Sequence, residues 1–183
     1  MSATDDLERL LYTAEKLFYE RGYGVVGMDE LRANSGLALK RIYSLLPGKD
    51  AIAVAMLERR DLAWRGELAA FVDGVSGPRE RVLAVFAWLE DWLAGPGYRG
   101  CAWINAFGEL GAESPAVAAV VREHKGRVRE YIDGLCAAAG CSPAVASAVF
   151  LLAEGAMSTA GIEGSPRAAR EAAQAVGLLL PQP

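Results

Sequence analysis

The sequence predicts an all-α protein, with a compact three-helix unit at the N-terminus and a longer helical unit behind it. Three observations carry this. Apolar residues recur at i, i+3 and i+4 along most of the chain, no stretch alternates as a strand would, and Gly- or Pro-containing breaks separate the periodic segments. At 183 residues and 52% hydrophobic content the chain can fill one core or two small ones. The natural division is residues 1–55 and 56–183, where the short helices give way to long ones.

The elements follow in order. Residues 5–21 place Leu7, Leu10, Leu11, Ala14, Leu17 and Phe18 on one stripe, and Gly22-Tyr23-Gly24 ends that helix. Residues 28–35 form a second, short helix with Gly27 as N-cap and Glu30 in the capping-box position. Gly36 breaks it. A third helix over 39–46 stops at Pro47-Gly48, and a fourth runs from Lys49 towards Trp64 and Phe71. Residues 79–94 are apolar nearly all round, the mark of a buried helix. A short apolar helix follows over 101–110. Ser114-Pro115, Ser142-Pro143 and Ser165-Pro166 each pair an N-cap side chain with a pre-set φ, so helices start there and run over 115–139, 143–161 and 166–180.

Charge and cysteine usage bound the function. A formal net charge of −4 argues against indiscriminate polyanion binding, yet residues 1–60 are balanced, with nine basic and nine acidic side chains. From Leu31 through Lys49 the charges are Arg32, Lys40, Arg41 and Lys49, with no acid among them. Such a local basic stripe is what selective phosphate contact needs. No apolar run of about 18 residues escapes a charge or a Gly/Pro break, so no membrane span is expected. The first residues lack the apolar region of a secretory signal. Cys101, Cys136 and Cys141 show no CxxC spacing and His124 is the single imidazole, so neither metal nor cofactor is expected. Free thiols fit a reducing cytoplasm.

The informative stretch is 28–43, two short helices about a tight turn at Gly36, which supplies positive φ. Leu31, Leu37, Ile42 and Leu46 can pack inward on Leu17 and Phe18, leaving Leu39, Lys40, Arg41, Tyr43 and Ser44 projecting. Basic and hydroxyl side chains on such a helix suit a major groove. The series Leu17-Phe18-Tyr19-Glu20-Arg21-Gly22-Tyr23, then Met28-Asp29-Glu30-Leu31, Gly36, Ile42-Tyr43 and Pro47-Gly48-Lys49-Asp50-Ala51-Ile52 resembles the DNA-binding domain of the TetR family, in order and spacing. Gly100-Cys101-Ala102-Trp103-Ile104-Asn105 with Glu109, then His124-Lys125, is similar to C-terminal domains in one subset of it.

The resemblance implies a cytoplasmic homodimeric transcription regulator, a repressor on a palindromic duplex operator, released by a small effector. It implies phosphate contacts at Tyr43 and Lys49, and base or backbone contacts at Leu39, Lys40, Arg41 and Ser44. Val26, Ala38 and Leu45 depart from the family pattern, where Thr, a capping Ser and a phosphate-touching His are common. The missing cap costs about 0.5–2 kcal/mol of local helix stability.

Beyond residue 56, Trp64, Phe86, Trp88, Trp92, Trp103, Phe107 and Met157 are many large side chains for a small helical domain. Singly each reads as core; together they suggest the wall of an apolar or aromatic effector pocket. Asn105 and Glu109, one turn apart, either cap a structural network or orient an effector. His124 shares a face with Val117, Val121 and Val128 and reads as a core histidine before a ligand-reading one. Val149, Phe150, Leu152, Ala153 and Ala156, with Ala169, Ala173 and Val176, exceed what one small core needs and offer a four-helix dimer surface, unless they close the protomer's own core. No catalytic arrangement is present: Glu90 and Asp91 are adjacent and diverge. Two alternatives stand beside the regulator, a helical ligand-binding protein with weakened DNA binding and a small helical enzyme. Salt-dependent duplex binding separates the first from both.

Overall fold

The computed structural model describes residues 2–96 and 98–181. Among the described residues the chain forms nine helices and no strand: α1 Ala3–Arg21, α2 Met28–Ser35, α3 Leu39–Leu45, α4 Lys49–Asp73, α5 Pro78–Leu93, α6 Ala102–Leu110, α7 Pro115–Ala138, α8 Pro143–Glu163 and α9 Arg167–Leu179. The all-α class and the order of the helices are those the sequence predicts.

Local chemistry sets the boundaries. α1 begins earlier than its apolar stripe, because Ser2 and Asp5 form a reciprocal capping box: Asp5 N–H donates to Ser2 Oγ at 3.1 Å and Ser2 N–H to Asp5 at 2.9 Å. At α2 the expected capping box is absent. Gly27 occupies the N-cap, while the Glu30 carboxylate pairs with Arg21 at the end of α1. Ser142 caps α8 by accepting from Val145 N–H. Ser165 accepts from Arg167 N–H one step before α9, whose N-cap is Pro166. Gly36 closes α2 at φ +66°, a left-handed value that side chains with a Cβ resist.

Packing divides the chain into two units, the first of residues 1–62 with 102–124 and the second of 63–101 with 125–183. The division expected at residue 55 falls inside α4. In the first unit α1, α2 and α3 pack mutually around Leu10, Ala14, Phe18, Leu31 and Ile42, all fully buried. Phe18 and Tyr23 stack with centroids 5.0 Å apart, and Tyr23 donates from its hydroxyl to the Ala102 carbonyl of α6 at 3.3 Å. Leu46, expected to point inward, is half-exposed at the end of α3.

In the second unit α9 packs on α8 and on α5. In this arrangement most of the residues expected at a dimer surface are packed inside the protomer. Val149, Phe150, Ala153, Ala156, Ala169 and Val176 are buried within the protomer, and Leu152 and Ala173 are half-buried. The stripe is consumed because α9 presents alanines, which let α5 and α8 approach its backbone. Exposed on the same two helices are Leu151, Ile162, Leu178 and Leu179. Gly161 is also set by close approach: a Cβ there would lie 2.7 Å from Gly100 Cα.

By length and composition α8 is apolar enough to cross a membrane, with a mean hydropathy of 1.5, although Glu154 and Gly155 interrupt its apolar run. Glu154 is neutralised in place by Lys125 at 2.6 Å, and the apolar residues of α8 pack on α9 and α5.

Candidate functional site

Helix α3 is only seven residues long, and its N-cap Ala38 supplies no side-chain acceptor. Ile42 anchors it with no exposed surface. The opposite side carries Lys40, Tyr43 and Ser44, all exposed, with Leu39 and Arg41 half-buried. Lys40 makes no hydrogen bond or ion pair among the described residues. Ser44 donates from its hydroxyl to the Arg41 carbonyl at 2.7 Å.

Two of the expected DNA contacts are tied to the protein. Arg41 donates from Nε to Asp6 Oδ2 at 2.9 Å, and Arg9 holds the other carboxylate oxygen at 3.4 Å. Lys49 donates from Nζ to the carbonyls of Tyr23 at 2.9 Å and Gly24 at 3.5 Å, so it clasps the α1–α2 turn. The turn is held from α6 as well: Gly24 N–H donates to Glu109 Oε2 at 2.9 Å. Gly22 admits that carboxylate because a Cβ would stand 2.9 Å from it, and its φ of +96° suits glycine.

The expected pocket residues fall in both units. In the first, the Trp103 ring lies flat on the His124 imidazole, centroids 3.5 Å apart and planes at 3°. His124 Nδ1 lies 2.7 Å from Asp61 Oδ1, with both side chains 2% exposed. His124 is thus a satisfied core histidine in this geometry, and Glu109 belongs to a structural network. Phe107 is exposed and Asn105 half-buried on α6, where Arg122 stands over the Phe107 ring at 5.8 Å. In the second unit Trp64 meets Trp88 edge-on at 5.0 Å and Trp92 at 5.8 Å, Trp88 and Trp92 stack at 5.9 Å, and Tyr98 adds an edge to Trp92 at 5.1 Å. Phe86 and Met157 are buried in the same unit. A recess of about 540 Å³ lies elsewhere, along Leu46, Pro47, Ala51, Val54 and Ala55 with Asp50 and Glu58 at its rim. Another of about 140 Å³ is bounded by Gly77, Pro78, Arg81, Leu135 and Ala138. None of the tryptophans lines either recess.

Two residues with decisive partners escape the sequence reading. Asp6 shares the stripe of Leu10, Ala14 and Leu17, and Asp61 shares that of Leu57, Trp64 and Leu68. An acid on an apolar stripe is the available signal, because a buried carboxylate requires a partner.

No family model matches the chain. The chain is similar to the HTH-type transcriptional repressor NemR of Escherichia coli strain K12, 34% identical over 83 residues, which are 45% of this chain and 42% of that protein. The chain thus aligns with less than half the length of this curated relative. Among solved structures, SCO4454, a TetR-family transcriptional regulator from Streptomyces coelicolor, superposes with a TM-score of 0.83 at 26% identity, covering 95% of this chain and 97% of that one. A putative TetR-type transcriptional regulator from Streptomyces avermitilis gives 0.81 at 25% identity, covering 96% and 98%. The reduced form of E. coli NemR gives 0.88 at 24% identity over 98% of both chains, a likeness of fold. With the helix-turn-helix, the order of the helices and near-complete superposition in agreement, this chain has the fold of the TetR-family transcriptional regulators and resembles them over nearly its whole length.

Proposed function

We propose that the protein is a DNA-binding transcriptional repressor that reads a palindromic duplex operator with α3. The observation that carries this is the exposed face of α3, where Lys40, Tyr43 and Ser44 stand clear while Ile42 fixes the helix from behind. Lys40 and Tyr43 are assigned to the DNA, and Leu39 and Ser44 flank them. Arg41 reaches bases with the part of its guanidinium that Asp6 leaves unoccupied. Lys49 acts first by fixing the α1–α2 turn and secondarily through its charge near a phosphate.

Operator reading by one such helix covers few base pairs, so the working unit is a homodimer on half-sites about one turn apart. Leu151, Ile162, Leu178 and Leu179, left exposed on α8 and α9, support that pairing better than the inward-facing residues of the same helices. A small apolar or aromatic effector releases the operator in the cytoplasm; the Trp64, Trp88 and Trp92 cluster is the surface of matching chemistry. Release requires tighter effector binding to a state that fits the operator poorly.

The test is selection of bound sequences from random duplex DNA, followed by affinity measured against salt. Phosphate engagement makes the affinity fall steeply as salt rises. Lys40→Ala weakens binding and relaxes preference at one position per half-site, by about 1–3 kcal/mol if it pairs with a base edge. A flat salt dependence in the wild-type protein overturns the proposal.

A further inference from the structure

The C-terminus of α7 brings two cysteines together by backbone geometry. Cys141 N–H donates to the Cys136 carbonyl at 2.9 Å and Gly140 N–H to the Ala137 carbonyl at 3.0 Å, with Gly140 at φ +73°. This pair of bonds is a Schellman motif, in which the side chain three positions inside the helix end meets the one two positions beyond it. Those positions are usually apolar; in this chain both are thiols. The Cys136 and Cys141 side chains hydrogen-bond to one another. Cys136 has no exposed surface, while Cys141 is partly open to solvent.

We propose that Cys136 and Cys141 form a dithiol that closes reversibly to an intramolecular disulfide by exchange with a low-molecular-weight disulfide. The accessible Cys141 sulfur, as thiolate, attacks one sulfur of the small disulfide. The new bond joins Cys141 to that sulfur, the small molecule's S–S bond breaks, and its other half leaves as a thiolate and takes up a proton. Cys136 then gives up its proton and attacks the Cys141 sulfur, expelling the second small thiol. Two protein thiols become one S–S bond, and the small disulfide is reduced by two electrons to two thiols.

The roles follow from exposure. Only Cys141 is open to an incoming reagent, and only Cys136 is placed to resolve the mixed disulfide without unfolding. Burial pushes the Cys136 thiol up to about 12, with the adjacent Cys141 adding to the effect. The resolving step is therefore the slow one at neutral pH, and it accelerates as pH rises. Cys101 has a separate environment, 3.5 Å from Lys125 Nζ, and takes no part.

The experiment treats the full chain with oxidised glutathione, quenches in acid, blocks remaining thiols with N-ethylmaleimide under denaturant and measures intact mass. The wild-type protein is expected to lose two hydrogens and accept a single maleimide, at Cys101. C101S closes in the same way. C136S stalls with one glutathione on Cys141, and C141S neither closes nor stalls. In the wild type the transient glutathione adduct decays faster at higher pH. Three maleimides on the treated wild type, a stable adduct that Cys136 never resolves, or a disulfide that includes Cys101 would each overturn the proposal. If the buried C136S variant does not fold, C141A decides the matter, because it removes the exposed partner and must abolish closure in a folded chain.

Discussion

The two units of the chain mix polar and apolar connections in different ways. In the first, the connections that reach furthest along the sequence are polar: Asp6 to Arg41, Tyr23 and Gly24 to Lys49, Gly24 to Glu109, and Asp61 to His124. In the second, apolar contacts through the tryptophan cluster and the alanine faces of α5, α8 and α9 stand beside polar ties from Arg79 to the Gly177 carbonyl, Tyr98 to the Met157 carbonyl and Lys125 to Glu154. Polar ties are directional, so losing one partner strands the other. Apolar packing spreads the same work over many weak contacts, and what it loses is volume. The turns of the first unit are accordingly fixed by hydrogen bonds.

The largest test of this contrast compares Asp61→Ala with Trp88→Ala. Removing Asp61 takes the carboxylate away from Nδ1 of a buried imidazole and is expected to cost about 3–5 kcal/mol. Trp88→Ala costs a similar ~3–5 kcal/mol through lost transfer energy and cavity formation. The two differ in rescue. Replacing Asp61 by Leu together with His124 by Phe keeps the stack on Trp103 and recovers most of the loss, since the penalty lies in the stranded polar group. No second substitution repairs Trp88→Ala without refilling its volume. Urea unfolding followed by far-UV circular dichroism measures all three variants against the wild type. If the double replacement is no better than Asp61→Ala, the pair is not the source of the penalty.

The next effect is smaller. Glu109→Ala frees the Gly24 amide and is expected to cost about 1.5–3 kcal/mol, as for a hydrogen bond to a charged group. Glu90→Ala in the second unit removes a carboxylate that pairs with exposed Arg170, and surface pairs contribute about 0–1 kcal/mol. Hydrogen exchange should speed at Gly24 in the first variant and show no comparable local change in the second. Equal costs would mean that the α1–α2 turn is held by Lys49 alone.

These partners mark where the sequence stops being legible. Helix ends are local events, so Gly36, Pro47-Gly48 and the serines at 114 and 142 place the boundaries of α2, α3, α7 and α8 to within about two residues. The buried sides of Leu31, Leu37 and Ile42 follow from periodicity in the same way. What periodicity does not carry is the partner across sequence. Arg41 and Lys49 read as outward basic residues because the pattern cannot show that Asp6 and two loop carbonyls meet them. Likewise the stripe on α8 and α9 shows how much apolar surface exists, but not whether α5 or another chain covers it.

The smallest effect concerns a helix end that each unit treats differently. α8 in the second unit has a side-chain cap, with Ser142 Oγ accepting from Val145 N–H at 3.4 Å. α3 in the first has Ala38 at its N-cap, with φ −63° and ψ 142°, values that a serine also adopts. The Arg41 amide bonds instead to the Ala38 carbonyl at 2.8 Å, a tighter turn than the helix that follows. Ala38→Ser should therefore stabilise the protein by about 0.5–2 kcal/mol, and Ser142→Ala should destabilise it by about the same amount. Ala38 is exposed, so the hydroxyl costs no burial. The gain should appear as a higher thermal midpoint and slower hydrogen exchange at Arg41, with α2 unaffected. If Ser142→Ala is costly while Ala38→Ser brings nothing, the orphan amides of α3 are already satisfied without a side-chain cap. The seven residues of α3 would then owe their helical form to Ile42 and the packing beneath it.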